Sequence, residues 1–240
     1  MIDPQALGLP IIRQSPDDLV VVKPAGMATE LTSDPRRTAL ISRVRKVVPE
    51  GVSPRLVHRL DRVTRGIVMV ALSHAAAAFY ADQIREGLWE KYYIARISRA
   101  PRTKAQGPGP RTLVGEHKAY LKEEKNRARL VRVGGKVSLL QVLAVEPAPD
   151  FPGHEHALIR LLTGRLHQIR VMLAGLGAPL VGDDVYGGAP GPMYLEHAAL
   201  WYVDYTTREI TLAHRPDDPE RERLAAPLHR ELGAVLRPGR

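Results

Sequence analysis

Leu56-Val57-His58-Arg59-Leu60-Asp61-Arg62-Val63-Thr64-Arg65-Gly66 leads without a break into Ile67-Val68-Met69-Val70-Ala71-Leu72. The apolar run is far too short to span a membrane. Its β-branched residues favour a strand buried on both faces. A short basic loop therefore delivers Asp61 onto a firm support, with His58, Arg59, Arg62 and Arg65 around it. Neighbouring cations favour the anionic form of a carboxylate, and such an anion can act as a nucleophile or stabilise a developing cation. The competing reading is structural, since many ion pairs serve only the fold: Asp61 would then be a turn residue paired with an adjacent arginine.

A second stretch, residues 163–177, reads as a loop running into a helix. Ile169, Met172, Leu173 and Leu176 recur at the spacing of one buried face. Gly175 or Gly177 is placed to end the helix. Arg165 and Arg170 lie off that stripe. Two arginines and Gln168 near a helix start suit an anion such as phosphate or a carboxylate, against the plainer reading of a solvated polar face. Next comes the glycine-rich turn Gly182-Asp183-Asp184-Val185-Tyr186-Gly187-Gly188, which carries neither GxxxxGK[ST] nor GxGxxG.

Taken in order, His58-Arg59-Leu60-Asp61 with Thr64 and Gly66, Lys91-Tyr92-Tyr93-Ile94-Ala95, Gly164-Arg165-Leu166-His167-Gln168-Ile169-Arg170, and Gly182-Asp183-Asp184-Val185-Tyr186-Gly187 resemble the RluA-type pseudouridine synthases. Asp18-Leu19-Val20-Val21-Val22-Lys23-Pro24-Ala25-Gly26 is similar to that family's opening strand and turn, and Leu195-Glu196-His197-Ala198 to its late His-Ala element. The resemblance runs from about residue 17 to about residue 216. It implies a central mixed sheet with flanking helices and an active site in a basic cleft. Arg65, Leu166 and Met172 depart from the usual family residues, which bears on the RNA recognised.

The composition agrees. The 240 residues carry 35 Lys plus Arg against 26 Asp plus Glu, a net charge of +9. A pI near 10 points to a polyanionic partner, most simply nucleic acid, although a GC-rich coding bias toward Arg, Ala and Pro gives the same balance. With no cysteine, disulfides and thiolate metal sites are excluded. No signal-type leader opens the chain, and a cytoplasmic monomer is expected. Such a length buries a sizeable core.

Local signals place the elements. Residues 19–23 form a strand closed by the Pro24-Ala25-Gly26 turn. Asp34 before Pro35 makes a helix start, with Leu40, Ile41, Val44, Val47 and Val48 inside and Pro49 as the stop. Ser73 caps a helix to about Glu86, ended by Gly87. Residues 92–97 form a strand, and residues 101–115, rich in Pro, Gly and Lys/Arg, a mobile loop. Residues 136–145 and 156–163 pair as strands, 208–213 make another, and 221–236 a closing helix with Leu228, Leu232, Val235 and Leu236 inward. His154-Glu155-His156 reads as a surface turn, too sparse for a metal site. Strands and helices do not alternate regularly, so the class is α+β with a mixed, largely antiparallel sheet. One catalytic domain over residues 1–240 is expected, without the separate N-terminal RNA-binding domain of many family members.

The chemistry that the resemblance implies, uridine to pseudouridine, breaks the N1–ribose bond, turns the uracil and joins its C5 to the same ribose carbon. No electrons are transferred and no group is lost, so no cofactor and no metal are expected. The family's essential carboxylate falls on Asp61. Its Lys-x-Tyr places Tyr93 against the uracil, with strand packing as the competing reading. Its second motif arginine is Arg170, which aims Asp61. Arg59, Arg62, Arg65 and Arg165, with His58, His167 and Gln168, are then candidates for RNA contacts. Structured ribosomal or transfer RNA is the expected partner, its target uridine flipped out of the stack. An N-glycosylase-like enzyme and a non-catalytic RNA-binding or RNA-folding protein remain the alternatives. The first would release free base, and the second would ignore loss of Asp61.

Overall fold

The computed structural model describes residues 2–32, 34, 38–98 and 113–238. In chain order the elements are α1 (Pro4–Leu7), β1 (Ile11–Gln14), β2 (Asp18–Lys23), α2 (Leu40–Val47), β3 (Arg55–Leu56), β4 (Arg65–Ala71), α3 (His74–Glu86) and β5 (Glu90–Ile97). They continue as β6 (Gly115–Glu124), β7 (Arg127–Val131), β8 (Lys136–Pro147), β9 (Glu155–Leu161), α4 (Gln168–Gly175), β10 (Leu195–Val203), β11 (Ile210–His214) and α5 (Ala226–Val235). This is an α+β chain in which antiparallel pairing dominates. It divides into two compact units, Met1–Lys91 with Glu196–Asp218, and Tyr92–Leu195 with Pro219–Arg240.

In the first unit the strand order is β1-β2-β4-β10, with β3 on β4 and β11 on β10. Every residue of β4 is buried, as its unbroken apolar run demands. It pairs antiparallel with β2 and parallel with β10 through Glu196↔Arg65 and His197↔Gly66. Gly66 is required here. Its φ is +112°, and a Cβ would overlap the backbone of His197. Helix α3 forms as its caps dictate. Ser73 accepts from the Ala76 N–H, and Gly87 closes the other end in the left-handed conformation. One face of the sheet buries Ile67, Met69, Tyr80, Trp89, Leu200 and Tyr202 together.

The second unit has the order β5-β9-β8-β6-β7. The expected pairing of the strands near 136 and 156 is present, from Leu140↔Leu161 to Pro147↔Glu155, with a register shift between Val142 and Ala144. Leu228, Leu232 and Val235 form the buried stripe of α5, which starts at Ala226, later than the expected 221.

Three local expectations need correction. Helix α2 starts at Leu40, not after Asp34, because Ala39 is held in a bridge with Ala28 and the Leu40 N–H donates to the Ala28 carbonyl at 2.8 Å. Pro35 lies outside the described residues, as do residues 101–112 of the expected loop; Leu113 is buried and Gly115 opens β6. The His154-Glu155-His156 triplet is no surface turn. It enters β9, and alternation turns His156 into the core, fully buried, where Nε2 meets Glu222 at 2.7 Å.

Candidate active site

In the first unit, the loop that carries Asp61 is fastened along its length. The Thr29 hydroxyl donates to the Leu60 carbonyl at 2.7 Å and accepts from the Leu60 N–H. The Gly26 N–H donates to the Arg62 carbonyl at 2.7 Å, and the Thr64 N–H to that of Asp61 at 3.0 Å. His58 Nε2 accepts from the Met69 N–H at 3.0 Å, tying the loop to β4. Asp61 is left half-buried at the turn. The ties to Thr29 and Gly26 come from residues far away in sequence, so tertiary structure holds the turn.

Lys23, at the end of β2, is fully buried. Its ammonium donates to the Pro24 and Met27 carbonyls at 3.0 and 2.8 Å. Burial brings its pKa down to about 8, against the opposing attraction of Asp61. This is neither the phosphate contact nor the solvated lysine that a strand end allows. It is a cation built into the wall beside Asp61.

The basic residues around Asp61 separate into two groups. Arg59 and Arg62 are exposed, Arg59 paired with Glu30. Arg65 turns inward and is 5% exposed. It grips both oxygens of Asp218 at 2.9 and 2.8 Å and meets Glu196 at 3.1 Å. The expectation of a phosphate contact at Arg65 is therefore corrected, because buried carboxylates already hold its guanidinium. His58 also points inward, against Trp89 and His197 at 5.3 and 5.8 Å between ring centroids. Burial, with the charges of His197 and Lys91, holds its pKa well below the usual range. His58 is thus a neutral brace for the loop, in place of the expected RNA contact. His197 donates from Nδ1 to the Ile67 carbonyl at 2.7 Å, and burial lowers its pKa to about 3.

In the second unit, Tyr93 lies in β5 with 5% exposure. Arg170 lies in α4 and is buried, which rules out the plainer reading of a solvated polar face. Its Nε and Nη2 donate to Asp183 at 2.8 Å each, and Tyr186 lies 5.2 Å from the guanidinium carbon, ring centroid to Cζ. The Tyr186 hydroxyl accepts from the Ala128 N–H at 3.0 Å and meets His167 Nδ1 at 2.9 Å. The glycine-rich turn thus serves to fix Arg170. The signal was available: a buried arginine needs a carboxylate, and Asp183 was in view as part of a motif without a role.

Gln168 is occupied inside the protein. Its Oε1 accepts from the Thr163 hydroxyl at 2.8 Å and the Arg165 N–H at 3.0 Å, and its Nε2 donates to the Leu139 carbonyl at 2.9 Å. The anion site expected at this helix start is not built as expected, because Gln168 and Arg170 are both committed to protein partners. His167, at φ +51°, turns the chain into α4. Arg165 remains exposed. Among the described residues, no group of three or more His, Asp or Glu side chains is placed to hold a metal ion, and no helix is long and apolar enough to cross a membrane.

The family model for RNA pseudouridylate synthase matches residues 17–175. The chain belongs to the RNA pseudouridylate synthase family. Within it the chain is of RluA type. It is 30% identical to the dual-specificity RNA pseudouridine synthase RluA of Escherichia coli K12, over 84% of this chain and 90% of that protein. It is also 30% identical to the ribosomal large subunit pseudouridine synthase C of Vibrio vulnificus, over 94% of this chain and 68% of that one. A solved structure, human RNA pseudouridylate synthase domain containing 1, has the same fold, with TM-score 0.70 at 24% identity, covering 100% of this chain and 98% of that one. As a pseudouridine synthase the chain is an RNA-modifying isomerase.

Proposed function

We propose that Asp61 is the essential carboxylate with which this pseudouridine synthase isomerises a uridine of structured ribosomal or transfer RNA. One observation carries the reading: a half-buried carboxylate on a turn braced by Thr29, Gly26 and His58, with the Lys23 ammonium close enough to interact electrostatically. Such a turn holds its anion in place without reorganisation, which is where an enzyme gains most. The reaction needs an anion at the electron-poor ribose carbon or at the base. The N1–C1′ bond breaks, the C5–C1′ bond forms, and the C5 proton leaves while N1 gains one. The family motifs assign Tyr93 and Arg170, the latter held by Asp183, as the further catalytic residues. The uridine is flipped out to react, at least cost from a loop. The exposed Arg59, Arg62 and Arg165 take phosphates. We place the enzyme in the cytoplasm, acting as a monomeric single catalytic domain.

The test is tritium release from C5-labelled uridine in RNA. Asp61→Asn keeps shape and removes the anion, so turnover should vanish while the melt and RNA binding persist. Release at the wild-type rate from a folded Asp61→Asn protein would make Asp61 structural.

A further inference from the structure

The meander β7-β6-β8 has two unlike faces. Residues directly opposite in an antiparallel pair lie on the same face. One face carries Leu121 and Ala128, packed with Val171 of α4. On the other, Tyr120 stands opposite both Val131 and Val137. Tyr120 and Val137 are 38% and 39% exposed, which leaves an aromatic ring and a valine side by side facing solvent. Cations frame them. Lys118 and Lys122 lie two residues to either side of Tyr120 in β6, both exposed. Lys118 Nζ sits 5.8 Å from the Tyr120 ring centroid, and Arg129 lies opposite Lys122. Arg165, from the loop before α4, reaches the carbonyl of Val137 at 3.4 Å. The same face carries Glu116 and Glu124, and Glu124 pairs with Arg129 at 2.7 Å, so Lys118, Lys122 and Arg165 set its charge around the ring.

An exposed ring on a sheet, apolar beside it and flanked by cations, is what single-stranded RNA needs. A base stacks on the aromatic face while its phosphates meet lysine and arginine. The geometry points to this face as a docking platform for a single-stranded stretch of the substrate RNA, with a base stacked on Tyr120 and phosphates at Lys118, Lys122 and Arg165. This rests on the reading of the chain as acting on structured RNA. It adds a contact that none of the sequence motifs marks. A nucleic acid fits better than an acidic protein because the strip alternates ring and charge at the spacing of a strand.

The experiment is binding of a short fluorescent oligouridylate by anisotropy, with thermal melts alongside. Tyr120→Ala should weaken binding roughly 5- to 150-fold, the range that loss of one stacked base gives, and Tyr120→Phe should bind like wild type. Lys118→Ser and Lys122→Ser should each flatten the log–log salt dependence by about 0.7. Unchanged affinity in a normally folded Tyr120→Ala protein overturns the platform. So does equal competition by polyglutamate against wild type and Tyr120→Ala, which would mark a general polyanion surface. If wild type ignores oligouridylate, the platform is likewise wrong, whereas the assignment of Asp61 is decided separately by tritium release from structured RNA.

Discussion

At the scale of single residues, the division of the arginines decides what each can do. Arg170 and Arg65 have the same side chain as Arg59 and Arg62, yet the first two are buried against carboxylates and the others face solvent. Removing one member of a buried pair strands the other charge, which costs about 3–5 kcal/mol. Asp183→Ala should therefore lower unfolding stability in urea by about that amount. Replacing both partners by apolar residues, Arg170→Met with Asp183→Leu, should restore most of the stability and leave tritium release absent. Restored turnover in the double variant would confine Arg170 to the fold. The position of Asp61, on a turn just before a buried strand, was legible in the sequence, because loop, carboxylate and apolar strand are contiguous. The fate of each neighbouring arginine was not, because it depends on partners far along the chain: Asp218 lies 153 residues from Arg65.

At the scale of elements, what could be read depended on how local the cause was. Ser73 and Gly87 bound α3 on both sides, and the helix runs between them. The start of α2 is set by Ala28, reached only once the chain has turned back, so the Asp34-Pro35 signal misled. The stripe on α4 was real but incomplete, since Asp183 draws Arg170 inside from 13 residues on. The same contrast gives a test on two glycines. Both Gly66 and Gly87 have positive φ, but a Cβ at Gly87 meets nothing within 4 Å, whereas at Gly66 it meets the His197 backbone. Gly87→Ala should cost only the left-handed strain, roughly 1–2 kcal/mol. Gly66→Ala should cost clearly more and abolish turnover, because β4 and β10 must part next to the Asp61 turn. Thermal melts of the two proteins, compared directly, check the order.

At the scale of the molecule, one half-buried and one fully buried histidine make stability depend on pH. His58 and His197 are neutral in the fold, with pKa values well below the usual range and about 3 respectively. An unfolded histidine takes up its proton near pH 6.5. Below that pH the unfolded chain binds protons that the native chain refuses, so stability is intact above about pH 6.5 and declines as pH falls toward 3. Each histidine contributes a slope of up to about 1.4 kcal/mol per pH unit. Urea unfolding at neutral pH and near pH 5 should show the decline, and His197→Gln should reduce it. The joint between β4 and β10 also bears on how the chain is made. On a ribosome Asp61 emerges well before β10 and Asp218, the latter lying 153 residues beyond Arg65. Until they emerge, β3 covers that edge of β4 only at Val70 and Ala71, so its Arg65–Gly66 end is bare, and an unpaired strand edge invites wrong partners. A nascent chain therefore carries the Asp61 turn through a long stretch of synthesis before the joint between β4 and β10 can close beside it.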